Sequence, residues 1–273
     1  MHGSPPASFA TFWQGPVDPI TYTCMASFPA LGLDLCVYAY AQELALPPGV
    51  ALADARQIVA DTSLTERFRF QGAPSIAKFS NLFRYRLIRD TQCCWIDGDM
   101  LCLRAPDFRI GHPVLGWQGD ADDLHAINTA VLMLPDGPVL QALTAGAETS
   151  LDQDQPWGST GPELVTRLAK EHGLAAFAAP RSAFYPVPWP SFYMPFLPAF
   201  REEVEAATAG STFVHLWNAQ LTRAGYDRTA CPPEGSYFHD ACRRLGTLDR
   251  FDRVYGEAEA VQLLQPAMGG PPL

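Results

Sequence analysis

What the chain lacks excludes whole classes of function. Only 18% of its 273 residues are charged, and 19 Lys plus Arg stand against 29 Asp plus Glu, so there is no basic surplus to hold a polyanion. At a formal net charge of −10 the general electrostatic footprint of a nucleic-acid binder is missing. No run approaches the roughly twenty apolar residues of a membrane span, and the start, MHGSPPASFATFW, has neither a basic nor an apolar leader segment. No basic amphipathic helix advertises a membrane surface. The expectation is a cytoplasmic protein, with peripheral contact to a membrane left open. Seven cysteines, at 24, 36, 93, 94, 102, 231 and 242, include no pair with the C-x-x-C spacing of a structural zinc site. They read as reduced thiols packed as small hydrophobes.

What is present is apolar mass. A hydrophobic content of 48% supports a sizeable core and excludes a disordered or fibrous chain. The length sits at the upper edge of one compact unit, and no repeat or polar linker divides it, so residues 1–273 read as a single domain. Twenty-five Pro and twenty-one Gly mean many irregular connections, the kind of surface on which binding sites are built.

The pattern along the chain alternates strand and helix. SFATFW reads as a strand closed by Gln14-Gly15-Pro16, a helix opens at Pro19 and ends near Pro29, and Leu33 to Ala41 reads as a buried strand. A short helix is expected around Ala51 to Ala60. From Pro74, the spacing of Ile76, Phe79, Leu82, Phe83 and Leu87 predicts an amphipathic helix with Lys78, Asn81 and Arg86 largely on other faces. An apolar strand then reaches Asp97 and Asp99, followed by a second short run, Met100 to Leu103. Further expectations are a strand at Thr129 to Leu134, helices from Gly137 and Gly161, a strand STFVHLW, and a final helix at Glu234 to Leu245. The class is α/β.

Asp97-Gly98-Asp99 is the feature that carries chemistry. Ligands of alternating β/α folds bind at the carboxyl ends of the strands, and two carboxylates one residue apart can share a hard cation such as Mg²⁺ or Mn²⁺. Gly98 lends the backbone freedom to bring them together. A cation held by few carboxylates keeps open positions for phosphate oxygens. The bland alternative is a polar turn after a strand.

The surroundings of the pair resemble a known family. Ser80-Asn81-Leu82-Phe83-Arg84-Tyr85 followed by Trp95-Ile96-Asp97-Gly98-Asp99 is similar to the helix–strand signature of DXD-containing glycosyltransferases related to α-1,4-galactosyltransferase and to capsular polysaccharide transferases, glycosyltransferase family 32-like proteins. Phe12-Trp13-Gln14-Gly15 resembles their first strand, Gly161-Pro162-Glu163-Leu164-Val165-Thr166 their Gly-Pro-x-Leu-Leu-Thr, and Val214-His215-Leu216-Trp217-Asn218 their His-x-Trp-Asn, all in family order. Asn81 stands where the family has Asp, and Thr91-Gln92-Cys93-Cys94 replaces a Gly-Gly.

The resemblance implies a GT-A-type fold with a mostly parallel sheet and C-terminal elaborations. It implies a metal-bound nucleoside-diphosphate sugar, UDP-linked by preference, and transfer with retention of anomeric configuration to a carbohydrate or glycolipid acceptor. On this basis residues of about 8–135 bind the nucleotide sugar, about 136–250 form the acceptor side, and 251–273 are a tail. Asp97, Asp99 and Arg84 become the catalytic candidates, with His215 a third ligand to Mn²⁺ or Mg²⁺. Phe12, Trp13, Gln14, Ser80, Arg84, Asp97 and Gly98 are donor-side candidates. Asn128, Asp154, Gly161, Pro162, Glu163, Trp217 and Asn218 are acceptor-side candidates, with Asp152 and the aromatic stretch 184 to 196 as possible groove walls. No residue stands out as a nucleophile for a double displacement. Two rivals compete: a phosphohydrolase of the haloacid dehalogenase type, whose Asp-x-Asp also ends a strand, and a sugar- or nucleotide-binding module without turnover.

Overall fold

The structure is a computed structural model that describes residues 8–120 and 125–269. The Pro/Ser-rich start before Ser8 and the last four residues of the expected tail lie outside the described residues. The opening is β–α–β as the pattern predicts: β1 (Phe9–Phe12), α1 (Pro19–Ala26) and β2 (Leu35–Ala39). Asp18 caps α1 by accepting from the Thr21 amide, and Pro19 occupies the first turn, where its missing N–H costs nothing.

The segment expected to be helical from Ala51 begins instead as an edge strand, β3 (Val50–Asp54), paired in parallel with β2 from Leu35↔Val50 to Ala39↔Asp54. Only the turn at Ala55–Gln57 is helical, and it is 3₁₀. Val-Ala-Leu-Ala carries too short a periodicity to choose between strand and helix, and the free edge of β2 decides by offering hydrogen bonds.

Helix α2 (Ile76–Thr91) matches its prediction, capped at Ser75. It leads into β4 (Cys94–Ile96). β5 (Met100–Cys102), β6 (Val114–Trp117), β7 (Ile127–Met133), α3 (Pro138–Glu148) and α4 (Pro162–Glu171) follow. The central sheet has the order β3-β2-β1-β4-β7-β6. β3, β2, β1 and β4 are parallel, while β7 runs antiparallel to β4, and β6 antiparallel to β7. This is the expected α/β class with a mostly parallel sheet.

Alternation sends Phe9, Cys94 and Ile96 to one face and Ala10, Phe12 and Trp95 to the other, so two apolar cores form. The second core lies under α2, α3 and α4. The first is covered by α1 and by the C-terminal elements: α5 (Arg201–Thr208), β8 (Phe213–His215), α6 (Asn218–Arg223), β9 (Ala230–Cys231), α7 (Tyr237–Leu245), β10 (Arg253–Val254) and α8 (Glu257–Gly269). The helix expected to be the last is therefore α7, and α8 follows it, burying Ala260 and Leu264. Most of the aromatic stretch offered as a sugar groove is core: Phe184, Tyr185, Phe192 and Phe196 are buried, while Trp189 and Tyr193 are half-buried against it. All seven cysteines are free, and five are buried. Among the described residues no helix is long and apolar enough to cross a membrane.

Gly116 on β6 shows how tightly this core closes. A Cβ there would lie 2.6 Å from the ring of buried Phe184 and 3.3 Å from that of Tyr185. Gly116→Ala is expected to cost about 1–3 kcal/mol through overpacking, read as a lower urea midpoint at unchanged m. A midpoint equal to wild type would refute this packing.

Candidate active site

The geometry of the site follows from one strand pairing. β5 leaves the central sheet and pairs antiparallel with β8, with His215 opposite Met100, so the imidazole arrives beside the residue just before β5, Asp99. Ligand atoms of Asp97, Asp99 and His215 lie within 4.8 Å of one another. His215 Nε2 is 3.1 Å from Asp99 Oδ1. Two residues some 116 positions apart in sequence are joined in this way.

Each carboxylate is held by its own supports. Asp97 Oδ1 accepts from Arg84 Nη2 at 2.7 Å and from Trp95 Nε1 at 2.6 Å. Its backbone N–H is tied to Ala130 on β7, and its other carboxylate oxygen has no hydrogen bond among the described residues. Arg84 is 3% exposed and Asp97 29%, so the arginine is the buried brace and the carboxylate the accessible end. The guanidinium also donates to Asn81 Oδ1 at 2.7 Å and lies 4.6 Å over the Trp95 ring. Arg84 therefore orients Asp97.

Asp99 Oδ2 accepts from the Asn218 amide at 2.8 Å. That amide is aimed by Trp217, whose φ of 54° turns the chain out of β8 into α6. A left-handed tryptophan is costly, and it is fixed here by a hydrogen bond from its Nε1 to Val187 O and by its ring lying 3.9 Å from that of His215. Asn218 Nδ2 also reaches Thr21 Oγ1. Trp217 and Asn218, expected on the acceptor side, thus belong to the shell that positions His215 and Asp99. Burial raises the Asp99 carboxyl, but the His215 charge and hydrogen bond, with the Asn218 amide and its own, outweigh this and leave it below its ordinary value. Asp99 is therefore ionised at neutral pH, as cation binding requires.

Gly98 does not use the left-handed conformation. Its lack of a side chain is required by closeness: a Cβ would meet Trp13 Cζ3 at 3.0 Å and Thr21 Cγ2 at 3.3 Å. Trp13 is thus a wall of the site, its Nε1 donating to Pro16 O, while Gln14 is exposed beside it.

Other candidates are corrected by their surroundings. Phe12 is 5% exposed and packs 4.6 Å from Phe83, in the core beneath α2, so its ring is not open to a ligand. The Ser80 hydroxyl donates back to Ala77 O inside its own helix. Asn128 is buried, its amide donating to Gln118 and its carbonyl accepting from Ala130 N. Asp154 accepts from Gly72 N, and Asp152 pairs with Arg67, so both fasten the chain at 152–154 to the segment 67–72 rather than lining a groove. Glu163 is exposed in the first turn of α4, Pro162 starts that helix, and a Cβ at Gly161 would lie 3.3 Å from the Asn81 amide. Lys78, expected on an outer face, is buried and donates to Pro156 O at 2.6 Å and to Ser159 Oγ at 3.1 Å.

A loop at 156–160 is consequently pinned along one face of α2, by Lys78, by Asn81 to Thr160 Oγ1, and by Tyr85 to Thr160 O. Residues 152–245, from this loop through α7, match the alpha 1,4-glycosyltransferase conserved region. Over those residues the chain is similar to a glycosyltransferase family. The likeness stated from the motifs at 161–166 and 214–218 falls inside that region.

Similar proteins include the lactosylceramide 4-alpha-galactosyltransferases of Rattus norvegicus, 34% identical over 73 residues (23% of this chain, 20% of that protein), and of Homo sapiens, 31% over 85 residues (27% and 24%). The Pongo pygmaeus protein of the same name is 31% identical over 85 residues, 27% of this chain and 39% of its own length. The chain thus matches between about a fifth and two fifths of the length of these relatives. A solved PaToxG glycosyltransferase aligns over 97% of this chain and 87% of its own at 11% identity, with a TM-score of 0.42.

Two carboxylates and an imidazole make a hard oxygen and nitrogen donor set, which fits Mn²⁺ or Mg²⁺ and carries none of the thiolate that would favour softer metals. The hydrolase rival is not favoured, since the matched region and the similar proteins are glycosyltransferases.

Proposed function

We propose that the chain is a metal-dependent glycosyltransferase that takes a glycosyl group from a nucleoside-diphosphate sugar, a UDP-sugar in the first instance, and passes it with retention of configuration to a carbohydrate or glycolipid acceptor. The observation that carries this reading is the Asp97–Asp99–His215 cluster at the carboxyl end of β4, in a chain whose similar proteins are named galactosyltransferases. Asp97, Asp99 and His215 would hold Mn²⁺ or Mg²⁺, which when bound supplies positive charge to the diphosphate leaving group.

The chain's own residues do the positioning. Arg84 fixes one carboxylate, and the Asn218 amide fixes the other. Trp13 closes the side toward β1, where the nucleoside fits, and Gly98 lets the backbone pass beneath it. Residues of about 8–135 supply the donor half and about 136–250 the acceptor half. The printed names of the relatives point to a galactosyl donor and a lactosyl acceptor as the first pair to try. Retention rests on the resemblance alone, and an α-configured product from an α-configured donor, read from the anomeric proton coupling, is its expected outcome.

Incubation with a panel of UDP-, GDP- and CMP-sugars is expected to give donor hydrolysis with one sugar nucleotide in Mn²⁺ or Mg²⁺ and none in excess EDTA. Cleavage of simple phosphate monoesters with no sugar nucleotide turned over would overturn the proposal in favour of a hydrolase. Metal-dependent nucleotide binding with neither transfer nor hydrolysis would leave only a binding module.

A further inference from the structure

A large aromatic face is exposed on a loop that is bonded to the helix carrying Arg84. Trp157 is 47% exposed, on the loop that Lys78, Asn81 and Tyr85 hold against α2. Its immediate neighbours are fixed, since Pro156 and Ser159 are both bonded to the buried Lys78 ammonium. Phe70 meets the indole edge-on at 5.2 Å. The Arg223 guanidinium lies 5.2 Å over the ring. Arg223 is exposed and makes no hydrogen bond or ion pair among the described residues beyond this contact, so its N–H donors are unspent.

Both flanks lead back to the aspartates. Arg223 ends α6, whose first amide binds Asp99, and six residues of helix span about 8 Å. Thr160, three residues after Trp157, is bonded to Asn81, which is bonded to Arg84 and through it to Asp97. An exposed indole held in place at such a position buys no folding stability from its outer face. A flat apolar ring beside a fork of donors is, however, the surface that a pyranose recognises, with its C–H face on the aromatic and its hydroxyls on the cation.

We propose that Trp157, with the Arg223 guanidinium over one side of its ring, is the platform on which the acceptor's terminal sugar stacks on the other. This rests on the glycosyl-transfer reading for its role, though not for its binding. The nucleotide does not compete for the platform, because the ends of β1 and β4 with Trp13 provide the donor's place. Trp157 is a specificity-determining residue, and the metal centre does not depend on it.

The test uses the full chain and lactose as the probe. Saturation-transfer NMR of lactose and isothermal titration of UDP with Mn²⁺ are measured for wild type, Trp157→Ala and Trp157→Phe. The expected result is lactose binding weakened about tenfold in Trp157→Ala, largely restored in Trp157→Phe, with UDP binding unchanged in both. Equal lactose binding in wild type and Trp157→Ala, absence of lactose binding in wild type, or parallel loss of UDP binding would each overturn the platform. Lactose binding lost with Trp157 in a protein that turns over no sugar nucleotide supports the platform and sinks the transferase reading instead, so the two can fail separately.

Discussion

Asp99→Asn is expected to remove metal-dependent turnover of the sugar nucleotide while leaving the fold intact. The carboxylate is one of three groups in the cluster, and its loss takes a full negative charge from the cation's surroundings. Several kcal/mol of charge stabilisation correspond to a fall of roughly 10²–10³-fold in turnover, and removing the metal with EDTA is expected to do the same to wild type. The fold survives because the amide oxygen of asparagine still accepts from the Asn218 N–H. Turnover assays with circular dichroism check both halves. Wild-type turnover by Asp99→Asn in the presence of Mn²⁺ would remove the site from consideration.

Arg84→Met is expected to be the most damaging single change to the stability of the site. The guanidinium is almost wholly buried, with Asp97, Asn81 and the Trp95 face around it. Breaking a buried ion pair costs about 3–5 kcal/mol, and the part-exposed Asp97 can recover some of this from water, so about 2–3 kcal/mol is expected. For a chain of this size that is a fall in Tm of about 4–12 °C. Metal affinity falls as well, by about 10–100-fold, because Asp97 is then held by Trp95 alone. Arg84→Lys recovers little, since an ammonium cannot span Asn81 and Asp97 as the planar fork does. A melting curve and a Mn²⁺ titration decide. A Tm within about 1 °C of wild type together with unchanged metal affinity would refute the brace.

These two residues also mark what could be read before the structure. Asp97 and Asp99 were legible because an apolar strand ending in carboxylates is a local pattern, and α2 because its apolar spacing is local too. Arg84 was legible by its place in a motif, yet its partner was not, since the pairing needs α2 packed on β4. Trp157 gave no signal at all: a tryptophan in a Pro- and Gly-rich loop reads equally as core or surface until Lys78, Asn81 and Tyr85 are seen to share the loop.

The amino-acid sequence by itself determined the α/β class, the elements with clear periodicity, the place of the carboxylate pair at a strand end, and the acidic, cysteine-reduced character of the surface and core. All of these are set by spacing and composition within a few residues. Tertiary structure alone decided that Val50–Asp54 is a strand, that Phe12, Phe184, Tyr185, Phe192 and Phe196 are core, and that α8 follows the helix thought to be last. It also turned Trp217 and Asn218 from acceptor candidates into supports for His215 and Asp99. The reason is common to all of them. A hydrogen bond or an apolar face can be satisfied by several partners, and which one is used depends on segments far apart in the chain being brought within reach, as β5 and β8 are when they bring His215 to Asp99.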